Sequence, residues 1–159
     1  HGTGCLSQMV EQYEQLGGNL VAIEAVPHDQ TQRYGVLDPG AETGTLVAIK
    51  GLVEKPAPAD APSNLAIIGR YILDPQVMED LSTFNKGAGG EIQITDTLAN
   101  LIGKLPLHGY KFQGQRYDCG NRAGFLAANL AFALSQGDTG GQGDLGENLR
   151  SVLREFLKA

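Results

Sequence analysis

The alternation of two hydrophobic patterns along this 159-residue chain constrains its fold most strongly. From Leu6 to Leu16, apolar residues recur every three or four positions, which is typical of an amphipathic helix, and Gly17 and Gly18 mark its end. A short apolar run follows over residues 19–26, which is typical of a buried strand. Because a helix followed by such a strand is half of an α/β crossover, the sequence predicts the α/β class.

The same alternation continues to the end of the chain. Further strands are predicted over residues 45–53, 64–73 and 107–112, and further helices over residues 75–81, 94–102 and from about 122. Asp38-Pro39-Gly40 predicts a turn, and Gly87-Ala88-Gly89-Gly90 predicts a loop. Residues 117–121 are predicted to be a strand end that turns into a helix.

Glycine is unusually frequent, with 22 residues, and a dense cluster over 137–146 predicts a flexible linker. An amphipathic helix is predicted after it. The predicted organisation is therefore a main domain over 1–136, a linker over 137–146 and a C-terminal helix over 147–159.

Composition excludes several classes of protein. Hydrophobic residues make up 42% of the chain, which argues against a disordered tail, and a net charge of −6 argues against nucleic-acid binding through charge. No apolar stretch is long enough to span a bilayer, so no membrane association is expected. The two cysteines have no metal-ligand or disulfide-framework spacing, and no secretory signal is visible, which favours the cytoplasm.

Glu54 and Lys55 are the first candidates for chemistry, because they end an apolar strand before Pro56. A bend before the proline can bring both side chains to one cleft, although adjacent strand residues normally point to opposite faces. The carboxylate can accept hydrogen bonds from sugar hydroxyls, and the ammonium can neutralise a phosphate. A solvated surface pair is the alternative interpretation.

Asp118 and Gly35 are further candidates. Asp118 is expected at a strand end, where a carboxylate can be a ligand of Mg²⁺, although a helix N-cap is the alternative. Gly35, after Tyr34, would allow a ligand to approach the backbone closely, although a plain turn is the more common explanation.

Five motifs together resemble the bacterial UTP-glucose-1-phosphate uridylyltransferases. They occur in the order found in that family: Y-G-V at Tyr34 to Val36, V-E-K-P at Val53 to Pro56, A-P-S-N-L-A-I-I-G-R-Y at Ala61 to Tyr71, G-A-G-G-E-I-Q-I-T-D at Gly87 to Asp96, and Y-D-C-G-N-R-A-G-F at Tyr117 to Phe125. The resemblance implies a Rossmann-like nucleotide-diphospho-sugar transferase fold, with a mixed sheet flanked by helices.

The implied reaction is the Mg²⁺-dependent formation of UDP-glucose and pyrophosphate from UTP and glucose 1-phosphate. By match to the motifs, Gly35 would contact the glucose through its backbone and Glu54 would bind the glucose hydroxyls. Lys55 would hold the sugar phosphate, and Asp118 would bind Mg²⁺. Lys55 and Asp118 are thus the predicted catalytic residues. Thr95 and Asp96 are expected to cap a helix, which is a structural role.

The resemblance also implies that the N-terminal half of the family's domain, with its nucleotide loop, is absent from these residues. The chain is therefore expected to be inactive alone. It is also expected to expose an apolar sheet edge or face, and so to form a homo-oligomer or to associate with the missing N-terminal part. The alternatives are a non-catalytic sugar-phosphate-binding or assembly module, and a related pyrophosphorylase that uses another nucleoside triphosphate or sugar.

Overall fold

The computed structural model describes residues 3–82, 92–135 and 145–157 of the chain. It divides into two compact units, His1–Gly114 and Gln115–Ala159. The α-helices are α1 (Cys5–Leu16), α2 (Pro75–Ser82), α3 (Ile94–Leu101), α4 (Arg122–Ser135) and α5 (Leu145–Phe156). The strands are β1 (Asn19–Ala25), β2 (Gly35–Thr43), β3 (Leu46–Glu54), β4 (Leu65–Ile72) and β5 (Leu107–Lys111). The predicted loop at Gly87 to Gly90 lies outside the described residues.

The strands of the first unit form one mixed sheet. Their pairing order is β1-β4-β2-β3-β5, and β5 pairs in turn with β1, so the sequence of pairings closes on itself. The β1–β5 pair is parallel and the other pairs are antiparallel. This arrangement confirms the predicted α/β class with a mixed sheet flanked by helices.

The closed pairing corrects one expectation about the surface of the sheet. Because β5 pairs with both β1 and β3, every strand in the described part of this unit has partners on both sides. The free sheet edge expected from the sequence is therefore not present among these strands.

Both faces of strand β1 are buried. Val21 and Ile23 point into one apolar cluster, which also contains Leu98 of α3. Leu20 and Ala22 alternate with them and point into a second cluster, where α1 contributes Met9. A strand covered on both faces requires a nearly continuous apolar sequence, which explains the run at residues 19–26.

Two local predictions are wrong. Asp38-Pro39-Gly40 is not a turn, because β2 continues through it with register shifts on both sides of Pro39. Such an irregularity accommodates a proline, which cannot donate a ladder hydrogen bond. Residues 117–121 contain no strand: β5 ends at Lys111, and the segment before α4 is irregular.

The second unit contains helices α4 and α5. Asn121 caps α4, since its Oδ1 accepts a hydrogen bond of 2.8 Å from the Gly124 amide. Helix α5 begins at Leu145, two residues before the predicted start. Most of the predicted linker over 137–146 lies outside the described residues, so the division into a main domain, a linker and a C-terminal helix stays a prediction.

Within residues 3–82, 92–135 and 145–157, no helix has both the length and the apolar character needed to cross a membrane.

The packing of α3 can be tested at Leu98, which is completely buried between the helix and the sheet. Leu98→Ala should lower the free energy of unfolding by about 3 kcal/mol, because it removes buried methyl groups and leaves a cavity. Urea denaturation measures this loss. Asn100→Ala, at an exposed position of the same helix, is the control and should change the free energy by less than about 0.5 kcal/mol. Equal effects of the two substitutions would contradict this packing.

Candidate functional site

The pairing of β2 with β3 brings two of the predicted site residues together. Gly35 begins β2 and Glu54 ends β3, and the register places these two residues opposite each other. They are far apart in the sequence, but the hairpin makes them neighbours at one end of the sheet. This end of the sheet is the candidate site.

Lys55 joins the site because the chain bends immediately after β3. Its φ of 48° lies in the left-handed region, and it is the one non-glycine residue with positive φ among those described. The Lys55 amide donates a hydrogen bond of 2.9 Å to the Tyr34 carbonyl oxygen, which holds the bend. The Lys55 Nζ consequently lies 3.6 Å from Glu54 Oε1, so the expected convergence of the two side chains is present.

The two charged groups differ in exposure. The side chain of Glu54 is 14% exposed, whereas that of Lys55 is 57% exposed. A partly buried carboxylate requires hydrogen-bond donors, while an exposed ammonium is available to a phosphate from solvent.

Thr95 provides the donor that Glu54 requires. Its hydroxyl lies 2.8 Å from Glu54 Oε2 and donates a hydrogen bond to it. Thr95 itself is only 4% exposed, in the first turn of α3. One carboxylate oxygen therefore faces a buried hydroxyl, and the other faces the Lys55 ammonium.

This contact corrects the expectation that Thr95 caps α3. The N-cap residue is Gln93, no side chain makes a cap hydrogen bond there, and the Thr95 hydroxyl is directed to Glu54. The sequence contains a signal for this role, because Thr95 shares the apolar face of α3 with Leu98, three residues later. A buried hydroxyl on such a face needs a polar partner.

Gly35 is required by the same hydrogen bond. A Cβ at Gly35 would lie 2.9 Å from Thr95 Oγ1 and 3.1 Å from Glu54 Oε2. Any larger residue would therefore displace one of the two groups. The plain turn suggested as an alternative for Gly35 is wrong, since the residue lies in β2.

The pKa of Tyr71 in β4 depends on the charge of Glu54. Burial raises the pKa of Tyr71 above its ordinary value of 10.0, and the negative charge of Glu54 raises it further. The phenol therefore ionises at a higher pH in the folded chain than in the unfolded chain. The contribution of Tyr71 to the free energy of unfolding is fully present below pH 10 and is lost as the pH rises through the raised pKa.

Asp118 belongs to the second unit, in the irregular segment before α4. Its Oδ1 accepts a hydrogen bond of 2.9 Å from the Gly120 amide, and its carbonyl oxygen accepts one of 3.3 Å from Asn121 Nδ2. A Cβ at Gly124 would overlap that carbonyl oxygen, so the segment folds tightly onto the start of α4. Asn121 is the cap, and the alternative interpretation of Asp118 as the helix N-cap is therefore wrong.

A single carboxylate such as that of Asp118 can supply one of the ligands of a magnesium ion. Mg²⁺ commonly takes one or two protein carboxylates and completes its shell with phosphate oxygens and water. Asp118 is half-buried and can supply one such ligand. In the part of the chain that the structure describes, no group of three or more acidic, histidine or cysteine side chains could hold a metal ion.

The backbone strain at Lys55 leads to a stability prediction. Lys55→Gly and Lys55→Ala both remove the ammonium, but only glycine adopts a positive φ without steric cost. Lys55→Gly should therefore be more stable than Lys55→Ala by about 1 kcal/mol in urea denaturation. The same pair of substitutions at Lys50, which has no positive φ, should show the opposite order. The same order at both positions would contradict the strained bend.

The electrostatic link to Tyr71 leads to a second prediction. Glu54→Gln removes a negative charge and should lower the Tyr71 pKa part of the way to its ordinary value, leaving the contribution of burial. NMR titration of labelled tyrosine rings, with Tyr71→Phe to assign the signal, measures the change. Glu42→Gln, which removes an exposed carboxylate paired with Lys111, is the control and should leave the titration unchanged. An unaltered Tyr71 titration in Glu54→Gln would show that the two groups do not interact.

Comparisons with known proteins agree with this fold. Residues 3–134 match the family described as nucleotidyl transferase. A UTP-glucose-1-phosphate uridylyltransferase of Komagataeibacter xylinus is 52% identical over 118 residues, which are 74% of this chain and 42% of that relative. A UDP-glucose pyrophosphorylase crystallised with UDP-glucose is 40% identical with a TM-score of 0.79, over 86% of this chain and 52% of that chain. A UTP-bound UGPase from Acinetobacter baumannii is 33% identical with a TM-score of 0.80, over 98% of this chain and 52% of that chain.

The chain thus spans less than half the length of the curated relatives it matches. The resemblance found from the five sequence motifs is confirmed by these relatives, and the predicted fold is confirmed by the solved structures. Because the family match covers most of the chain, the chain belongs to the nucleotidyl transferase family.

Proposed function

We propose that the protein to which this chain belongs makes UDP-glucose and pyrophosphate from UTP and glucose 1-phosphate. The observation that carries the proposal is the paired carboxylate and ammonium of Glu54 and Lys55, held 3.6 Å apart at the end of β3. The pair offers a hydrogen-bond acceptor for hydroxyls next to a cation for a phosphate, and a sugar phosphate carries both groups. Relatives named for this reaction support the choice of substrates.

Glu54 binds the glucose in this proposal. Its Oε2 accepts from Thr95, which leaves Oε1 to accept hydrogen bonds from sugar hydroxyls. Gly35, opposite Glu54, is proposed to contact the glucose through its backbone. The space that its missing side chain leaves is occupied by the Thr95 hydroxyl and the Glu54 carboxylate, so Gly35 also allows that carboxylate to take its place in the site.

Lys55 acts on the phosphate of the sugar. In the reaction, a phosphate oxygen of glucose 1-phosphate forms a bond to the α-phosphorus of UTP. The bond from that phosphorus to the pyrophosphate oxygen breaks, and pyrophosphate leaves with the electron pair. The nucleophile is already an anion, so the residues need only hold it in place and offset charge. The exposed Lys55 ammonium does both for the sugar phosphate.

In this proposal the reaction depends on Mg²⁺, and Asp118 would hold that ion. When bound, Mg²⁺ neutralises charge on the phosphates. The hydrogen bond from the Gly120 amide fixes the orientation of the Asp118 carboxylate for this role.

The chain alone is proposed to be inactive, because it spans less than half the length of its curated relatives. Self-association, or association with the rest of the protein, stays a prediction. Large exposed apolar side chains in the second unit, such as Phe132 of α4 and Phe156 of α5, agree with it. The cytoplasmic location also stays a prediction.

The role of Glu54 can be tested by steady-state kinetics of the protein that carries this chain. Glu54→Gln should lower kcat/KM for glucose 1-phosphate by about 10- to 100-fold, because hydrogen bonds to a charged acceptor are lost. Pyrophosphate release in a coupled assay provides the measurement. Glu42→Gln, at an exposed ion pair on β2, is the matched control and should behave as wild type.

Two results would contradict the proposal. The first is a wild-type protein that makes no UDP-glucose from UTP, glucose 1-phosphate and Mg²⁺. If that inactive protein still binds UDP-glucose in calorimetry, the alternative of a non-catalytic binding module is favoured. The second is a Glu54→Gln variant with unchanged kcat/KM. Separately, UDP-glucose formation by the isolated chain, abolished by Asp118→Ala, would contradict its proposed inactivity.

A further inference from the structure

The Glu54 carboxylate has one oxygen committed to a buried partner and one that is available. Thr95 donates to Oε2 at 2.8 Å, and Oε1 lies on the side of the Lys55 ammonium, at 3.6 Å. The last torsion of a glutamate side chain has only a broad, shallow preference, so without the Thr95 hydroxyl the plane of the carboxylate could rotate. The hydrogen bond therefore fixes the plane of the carboxylate and the direction in which its other oxygen faces a ligand.

Three elements build this hydrogen bond together. Helix α3 contributes Thr95, β3 contributes Glu54, and β2 contributes Gly35, whose missing side chain leaves space for both groups. Thr95 is itself buried, and its hydroxyl lies within hydrogen-bond distance of the carboxylate.

From this geometry we propose that Thr95 is a positioning residue for sugar binding. Its hydroxyl fixes the Glu54 carboxylate so that Oε1 accepts from a hydroxyl of the sugar phosphate, and it thereby contributes to selection of that sugar. The inference rests on the proposed function, since it assumes that Glu54 binds the sugar. Thr95 acts through Glu54 and does not itself touch the substrate.

Thr95→Val is the informative substitution, because it keeps the branched shape and removes the hydroxyl. In the protein that carries this chain, it should raise KM for glucose 1-phosphate about tenfold and leave KM for UTP within about twofold of wild type. Thr95→Ser restores the donor and should bring KM for glucose 1-phosphate back to within about threefold of wild type. Thr97→Val is the control on the same helix, because the Thr97 hydroxyl lies near the Gln93 carbonyl oxygen instead of Glu54.

A double-mutant cycle distinguishes positioning from a merely structural role. On the Glu54→Gln background, Thr95→Val should change kcat/KM for glucose 1-phosphate by less than about threefold, because the oriented carboxylate is already gone. A structural role would instead give the same loss on both backgrounds. If Thr95→Val does not fold, Thr95→Ala takes its place in the cycle, and Thr95→Ser still tests the requirement for a donor.

The outcomes separate this inference from the proposed function. A wild-type protein that makes no UDP-glucose overturns both. With active wild type, the inference alone is overturned by independent effects in the cycle, by equal increases in both KM values, or by a Thr95→Ser variant as impaired as Thr95→Val. A selective increase in KM for glucose 1-phosphate, rescued by serine and absent on the Glu54→Gln background, supports it.

Discussion

The hydrogen bond from the Thr95 hydroxyl to the Glu54 carboxylate connects the core of the first unit to the chemistry at its surface. Thr95 and Leu98 lie on the same face of α3, so the packing that holds Leu98 in the core also holds the hydroxyl in place. Gly35 leaves the space in which hydroxyl and carboxylate meet. The position of the carboxylate therefore depends on helix packing, strand register and one missing side chain together.

The site also contains a local backbone strain. Lys55 adopts a positive φ, and the bend that results brings its ammonium to the carboxylate of the preceding residue. In an ideal strand these neighbours would point to opposite faces of the sheet. Strain of this kind persists where the surrounding structure fixes it, here through the hydrogen bond from the Lys55 amide to Tyr34. Because of this bend, the Glu54 carboxylate and the Lys55 ammonium lie close together, which suits a ligand that carries both hydroxyls and phosphate.

Hydrophobic periodicity was enough to predict most helices and strands, because apolar spacing reports directly on burial, as in α1 and β1. It failed at Pro39, where β2 accommodates a turn-like sequence through a shift in register that depends on its partner strand. The motifs identified Gly35, Glu54 and Lys55, but not the role of Thr95. The spacing of Thr95 and Leu98 indicates a buried hydroxyl that needs a polar partner, but it does not identify Glu54, 41 positions away, as that partner.

The most direct test of a sugar-phosphate site at this end of the sheet is a crystal structure of the protein that carries this chain, bound to UDP-glucose. We expect a glucose hydroxyl within about 3 Å of a Glu54 carboxylate oxygen, with the hydrogen bond from Thr95 retained and the Lys55 ammonium next to the phosphate that is bonded to the glucose. Glucose bound elsewhere, with Glu54 and Lys55 in contact only with each other and with solvent, would contradict this account.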